Sequence, residues 1–248
     1  MISKNQLKYV RQFEQKKFRR EEGLFVAEGT KVVGDLLKRY RPNTLFATSE
    51  WLKEHPGAEA TEVTPDELRR LSFQQHPQQV LALFPIPSPS ADTFNASHFT
   101  SSLALALDGI QDPGNLGTII RIADWFGIDT IYCSTDTVDA WNPKVVQATM
   151  GSIARVDIIY TDLPALLDTL PTDYPVYGTF LDGENIYTQQ LSKEGLIIMG
   201  NEGNGISDAV RQRVNRRLLI PDFHQGDTAD SLNVAIATAI TCSEFRRR

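Results

Sequence analysis

The stretch Leu103–Gly127, LALALDGIQDPGNLGTIIRIADWFG, reads as a strand, a polar turn and a helix in direct succession. Leu103–Asp108 is a continuous apolar run, the pattern of a strand covered on both faces. Gly109, Pro113, Gly114 and Gly117 then read as a loop, and Asn115–Trp125 as the helix, with Asn115 placed to cap it. The same signal recurs downstream. TIYCS (Thr130–Ser134), VDIIY (Val156–Tyr160), PVYGTF (Pro175–Phe180), LIIMG (Leu196–Gly200) and RLLIP (Arg217–Pro221) are further strands, separated by stretches of helical length. Continuous apolar strands alternating with helices predict a mostly parallel sheet in an α/β domain. The last segment, Asp230–Phe245, reads as a helix whose Ala and Ile suit close packing, in the core or against a second subunit.

Upstream the chain is organised differently. Leu7, Val10, Phe13 and Phe18 lie at helical spacing within a basic segment, Lys4–Arg20. Short strands at Leu24–Ala27, Thr44–Thr48 and Val80–Phe84 alternate with helices over Gly29–Tyr40 and from Pro65, where Thr64 caps, Pro65 opens the first turn and Glu67 completes a capping box. Residues 1–87 therefore read as a small α/β domain, 88–102 as a linker rich in Pro, Ser and Thr, and 103–248 as the second domain.

Composition sets the broad class. Hydrophobic residues make up 41% and charged residues 23% of the 248, ordinary for a folded globular chain. No apolar run approaches a membrane span, and no apolar segment follows the basic N-terminus as a secretory signal requires. Cys133 and Cys242 stand far apart, which suggests neither a disulfide framework nor a metal cluster and fits a reducing cytoplasm; no metal ligand set is read. The net charge of −6 conceals a segregation. Residues 1–41 hold 11 Lys and Arg against 5 Asp and Glu, a basic head on an acidic body. That arrangement suits local contact with phosphates, or a solvated helix face.

Polar residues and glycines gather where three strands end, the usual place for a site in a parallel sheet. In the first segment, Asn115 and Arg121 are six apart and share the loop side only if the helix starts after Asn115. Each also has a plain structural reading, as a cap and as a surface charge. The second segment, IIMGNEGNGIS (Ile197–Ser207), is a strand running into a glycine-rich loop with one acid, Glu202. Its spacing is G-x-x-G-x-G, not the G-x-G-x-x-G of a dinucleotide fold, and no phosphate-binding G-x-x-x-x-G-K-[ST] occurs. The third, IPDFHQGDTADSLNVAIATAI (Ile220–Ile240), brings Ser231 and Asn233 to a helix start, with Ser231 readable as a simple cap.

Taken in order, GIQDPGNLGTIIRIADWFG, IIMGNEGNGIS and IP…SLNVAIATAI resemble the three motifs of the SpoU/TrmH family of RNA ribose methyltransferases, part of the SPOUT superfamily. The N-terminal half is similar to that family's ribosomal-protein-like substrate-binding domain, through NQLKYVRQF, GLFVAEGTKVVGDLL and QQVLALF. The resemblance implies S-adenosylmethionine-dependent 2′-O-methylation of a ribose in structured RNA, ribosomal RNA before transfer RNA. It implies a C-terminal domain with a trefoil knot, a homodimer, and a catalytic set of Asn115, Arg121, Glu202, Ser231 and Asn233. The cofactor would be held mainly by backbone around Gly200, Ile220 and Leu232, with Thr179 nearby. Arg121 is implied to bind phosphate and polarise the hydroxyl. One departure stands out: Asp222 occupies the place of the family's usual Met, in a Pro221–Ser231 loop a few residues longer than the family's turn. Two rival readings remain, a catalytically silent RNA-binding assembly factor and a nucleotide-dependent oxidoreductase. Eroded motifs would mark the first. The glycine spacing, and the lack of an acid placed for a ribose on a second strand, speak against the second.

Overall fold

The computed structural model describes residues 2–88, 102–224 and 231–247. The tract set as a linker thus lies almost wholly outside the described residues, as does the middle of the Pro221–Ser231 loop. The chain divides into two units, residues 1–88 with 139–154, and residues 89–138 with 155–248.

In the first unit, β1 (Leu24–Glu28), β2 (Thr44–Ala47), β3 (Thr61–Glu62) and β4 (Val80–Pro85) form one sheet in the order β1-β4-β2-β3. β4 runs antiparallel to both neighbours, and β2 and β3 are parallel. The basic segment is two helices, α1 (Lys4–Gln12) and α2 (Lys16–Glu22), rather than one. Phe13 closes α1, and its buried ring joins Val10, Val26, Phe46 and Leu81 in the core. α3 (Thr30–Leu37), α4 (Ser49–Glu54) and α5 (Pro65–Leu71) complete the N-terminal segment, with the Thr64–Glu67 capping box formed.

Residues 139–154 complete this unit from far along the chain. Trp141 packs on Phe25 with ring centroids 4.8 Å apart. Asp139 takes the guanidinium of Arg19 through Nε at 3.0 Å and Nη2 at 2.6 Å, while Nη1 donates to the carbonyls of Phe13 and Glu14. The Arg19 side chain is 2% exposed, so the pair is a buried one.

In the second unit six strands form a wholly parallel sheet: β5 (Leu103–Asp108), β6 (Thr130–Ser134), β7 (Asp157–Thr161), β8 (Val176–Asn185), β9 (Gly195–Gly200) and β10 (Arg216–Leu219). The parallel α/β reading of the sequence agrees with this sheet. The order is β10-β8-β9-β5-β6-β7. The chain steps outward from β5 through β6 to β7, then crosses so that β9 lies against the other side of β5. That reversal opens a crevice at the carboxyl ends of β5 and β9, where sheets of this kind bind ligands.

α6 (Pro113–Trp125) follows β5; α7 (Pro143–Ala148) lies in the 139–154 segment; α8 (Leu163–Asp168), α9 (Asp208–Arg211) and α10 (Val234–Arg247) follow. α10 packs on α6, and its Phe245 meets Tyr177 of β8 edge to face at 4.7 Å. Two helix starts in this unit differ from the sequence reading. α6 begins at Pro113, because the carboxylate of Asp112 accepts the N–H of Asn115 and Pro113 fills the first position that needs no donor. α10 begins at Val234, capped by Asn233 rather than Ser231: Asn233 Oδ1 accepts the N–H groups of Ala235 at 3.0 Å and Ile236 at 3.3 Å.

β8 runs on past Phe180 to Asn185. Its register against β10 jumps from Arg217↔Gly178 to Leu218↔Glu184, so Thr179–Gly183 bulge out opposite a single peptide step. Gly183 is required there, since a Cβ would lie 2.5 Å from the Leu218 carbonyl.

Candidate active site

The crevice between β5 and β9 is built from the loops that leave those strands. Asp108 and Gly200 pair at their carboxyl ends, which sets the two loops side by side. Gly109 turns the first loop at φ +75°, a conformation side chains disfavour. Its carbonyl accepts Gln111 Nε2 at 3.2 Å and Asn201 Nδ2 at 2.6 Å, and its N–H donates to Ser134 Oγ at 2.8 Å. Gln111 Nε2 also reaches the carbonyl of Asp136 at 2.8 Å.

The second loop closes on itself. Asn201 and Gly205 exchange both backbone hydrogen bonds at 2.9 Å, while Asn201 Oδ1 accepts the N–H groups of Gly203 and Asn204. Gly200 permits this return, because a Cβ there would lie 2.3 Å from Gly205 and Ile206 backbone. The buried carboxylate of Asp108 takes the Ser207 N–H at 2.7 Å and fixes the loop's far end.

Glu202 stands at the centre of this frame. Its carboxylate accepts the backbone N–H groups of Gln111 at 3.1 Å and Asp112 at 3.2 Å, and Asn115 Nδ2 at 3.0 Å. Burial pushes the carboxyl upward. The hydrogen bonds from Asn115, its own backbone, Gln111 and Asp112 together outweigh that and hold it below the usual carboxylate range. Asn233 Nδ2 donates to Asn115 Oδ1 at 2.9 Å, so one chain of hydrogen bonds runs Asn233, Asn115, Glu202 and joins all three sequence segments. An ionised carboxylate that already accepts three N–H groups is suited to holding loops together rather than to taking a proton.

Asn115 therefore contacts both Glu202 and Asn233. Arg121 lies six residues beyond Asn115 on α6, about 9 Å along the axis and about 120° around it. With α6 starting before Asn115, the two do not share a face. Arg121 is exposed, with no hydrogen bond or ion pair among the described residues. Ser231 is exposed two residues ahead of Asn233. Sequence reasoning missed Asn201, Gln111 and Asp112. Their signal was faint: amides and an acid beside glycines, in loops already marked as polar.

The residues carried over for the cofactor are spread over β8, the ends of β9 and β10, and the approach to α10. Thr179 sits in the β8 bulge, partly exposed, its hydroxyl 3.9 Å from Met199 Sδ. Gly200 ends β9, Ile220 follows β10 partly exposed, and Leu232 is 51% exposed. A hydroxyl, backbone amides and partly exposed apolar side chains fit S-adenosylmethionine, with its flat adenine, ribose and zwitterionic tail. They are unlike a phosphate cradle, which gathers basic side chains or a glycine-rich helix start.

Comparison with known proteins gives the same reading. The model of the SpoU rRNA methylase family matches residues 102–243, and that of the MRM3-like substrate-binding domain matches residues 4–82. The 23S rRNA (guanosine(2553)-2′-O)-methyltransferase RlmP of Bacillus subtilis is 32% identical over 192 residues, 77% of this chain and 73% of that protein. A TrmH-family structure from Porphyromonas gingivalis superposes with a TM-score of 0.88 at 40% identity, covering 100% of this chain and 99% of the other. An AdoMet-bound rRNA methyltransferase from Sinorhizobium meliloti superposes at 0.85 with 30% identity, covering 100% and 97%. With three motif loops tied into one crevice and a family model spanning more than half its length, the chain belongs to the SpoU rRNA methylase family.

Proposed function

We propose that this protein transfers the methyl group of S-adenosylmethionine to the 2′-hydroxyl of one ribose in ribosomal RNA. The activity class and the cofactor follow from the family, and the Bacillus subtilis and Sinorhizobium meliloti relatives are rRNA methyltransferases. The observation that carries the assignment to this chain is the Asn233–Asn115–Glu202 hydrogen-bond chain, which holds the three motif loops as one polar floor.

The cofactor supplies an electrophilic methyl on a sulfonium, so the protein must mainly align the hydroxyl with it. In this reading Thr179 and the backbone at Gly200, Ile220 and Leu232 hold the cofactor, and Asn115, Glu202 and Asn233 hold its surroundings rigid. Ser231 and Arg121 face the RNA, Arg121 as a fixed cation that binds phosphate and polarises the hydroxyl. Its guanidinium holds its own proton too firmly to serve as the base. Arg121 stands clear of the polar floor within one chain. We accordingly assign a homodimer in which a second copy completes the site, and a C-terminal helix α10 threaded through a knot. The basic N-terminal segment grips the RNA. No described helix is long and apolar enough to cross a membrane, and the bacterial relatives favour the cytoplasm as the place of action.

The test is methyl transfer from radiolabelled S-adenosylmethionine to total RNA of a strain lacking the protein, with nuclease mapping of the label. One alkali-resistant site in ribosomal RNA is expected; label confined to transfer RNA would redirect the substrate. In the same assay Arg121→Ala should abolish transfer and leave cofactor affinity within about twofold. Loss of cofactor binding in that variant would remove Arg121 from its assigned role.

A further inference from the structure

Phe223 is 80% exposed, in the loop where this chain departs from the family pattern. Large aromatic rings are seldom left in water without a use, and this one is held in place. Asp222 Oδ1 accepts the His224 N–H at 2.8 Å, which turns the backbone around Phe223 and presents its ring outward. The ring is backed by Tyr187, centroids 6.3 Å apart with planes 31° from parallel, and Tyr187 is itself partly buried. Both residues leave the carboxyl ends of paired strands, since Leu219 of β10 is opposite Asn185 of β8. Phe223 lies three residues past Ile220, at most about 11 Å of chain from the residue assigned to the cofactor.

We propose that Phe223, supported by Tyr187, is a stacking platform for a nucleobase of the RNA substrate. This rests on the reading of the protein as an RNA ribose methyltransferase. A nucleotide splayed out of its stack to bring its ribose to the methyl donor loses stacking worth a few kcal/mol. A flat apolar face beside the crevice restores that stacking without reading the base, as single-strand-binding proteins do. The longer loop thus makes Phe223 a specificity-determining residue: it favours a target that can be splayed out over a target held in a helix.

The experiment compares wild type with Phe223→Ala, Phe223→Leu and Phe223→Trp. Readouts are kcat and KM on ribosomal RNA from a strain lacking the protein, calorimetric affinity for S-adenosylmethionine, sedimentation, and quenching of the new Trp fluorescence by that RNA. Phe223→Ala and Phe223→Leu should lose roughly ten- to a hundredfold in kcat/KM. Phe223→Trp should stay within about threefold and be quenched by RNA. Cofactor affinity and sedimentation should not move. Activity restored by Leu would mean apolar packing and overturn the proposal. So would a parallel loss of cofactor affinity, which places the ring in the cofactor pocket, or a change in sedimentation, which places it between two copies. Full activity in Phe223→Ala would overturn it and leave the methyltransferase reading intact. Quenching by RNA without methyl transfer in wild type would do the reverse.

Discussion

Asn233 does two things with one amide: its oxygen caps α10, and that choice forces its nitrogen toward Asn115. In Asn233→Asp one carboxylate oxygen still caps the helix, but the other faces Asn115 Oδ1, and two acceptors meet. Turning the Asn115 amide to answer it would set its carbonyl against Glu202 instead. No orientation satisfies both ends, so methyl transfer should fall about tenfold or more, as for a lost hydrogen bond at the site. Asp caps as well as Asn, so the unfolding free energy in urea should stay within about 1 kcal/mol of wild type. Glu202 makes a different prediction. Its carboxyl titrates lower in the folded protein than the ordinary 4.5, so its ionised form favours folding at any pH above that value. That contribution fades as pH falls through the lowered folded value. Denaturation of Glu202→Gln followed from pH 7 to pH 3 should therefore show a shallower acid loss than wild type. Between pH 6 and 9 Glu202 stays ionised, and the wild-type rate profile should carry no limb that Glu202→Gln removes.

β5, β6 and β9 were legible because each is an apolar run whose burial needs no partner to be named in advance. β5 is buried at all six positions, and its sequence says so. Helix starts were harder. Gly114 and Gly117 made the segment after Asp108 look like loop, although Asp112-Pro113 is itself a cap and first-turn pair. The β8 bulge could not be foreseen, since it arises from how far β10 runs beside β8 and not from any residue pattern in Thr179–Gly183. In the site, the motif residues stood out, while Gln111 and Asn201 did not: an amide shows its importance only when its two partners are known. Close backbone approaches carry the clearest prediction for an element. Gly200→Ala would drive a Cβ into the returning strand of the β9 loop, with Gly205 and Ile206 backbone 2.3 Å away. It should cost about 2–3 kcal/mol in urea denaturation and loosen Glu202 with it, lowering transfer in step.

Across the whole molecule, the N-terminal unit is assembled from two stretches of chain that are not contiguous, residues 1–88 and 139–154. Nothing in the sequence marks Asp139 as the partner of Arg19, 120 residues away. Removing one member of such a buried pair leaves a charge without its counterpart. Asp139→Ala should cost about 3 kcal/mol in urea denaturation, and Arg19→Met with Asp139→Leu should cost less than Asp139→Ala alone. If the separate losses of Arg19→Met and Asp139→Leu simply add in the double variant, the pair contributes no coupling. The same arrangement fixes a timetable during synthesis. Domains ordinarily fold one after another as they leave the ribosome, at roughly 5–20 residues per second. Here the first unit must wait through a further 66 residues after Ser88 before Ala154 exists, about 3–13 s at that pace. Arg19 lacks its carboxylate until the 51st of those residues is added and Phe25 lacks Trp141 until the 53rd, while β5 and β6 are already emerging. The nascent chain thus leaves the Phe25 and Arg19 face of its first half uncovered until the second is well begun, a period in which a holding chaperone has surface to bind.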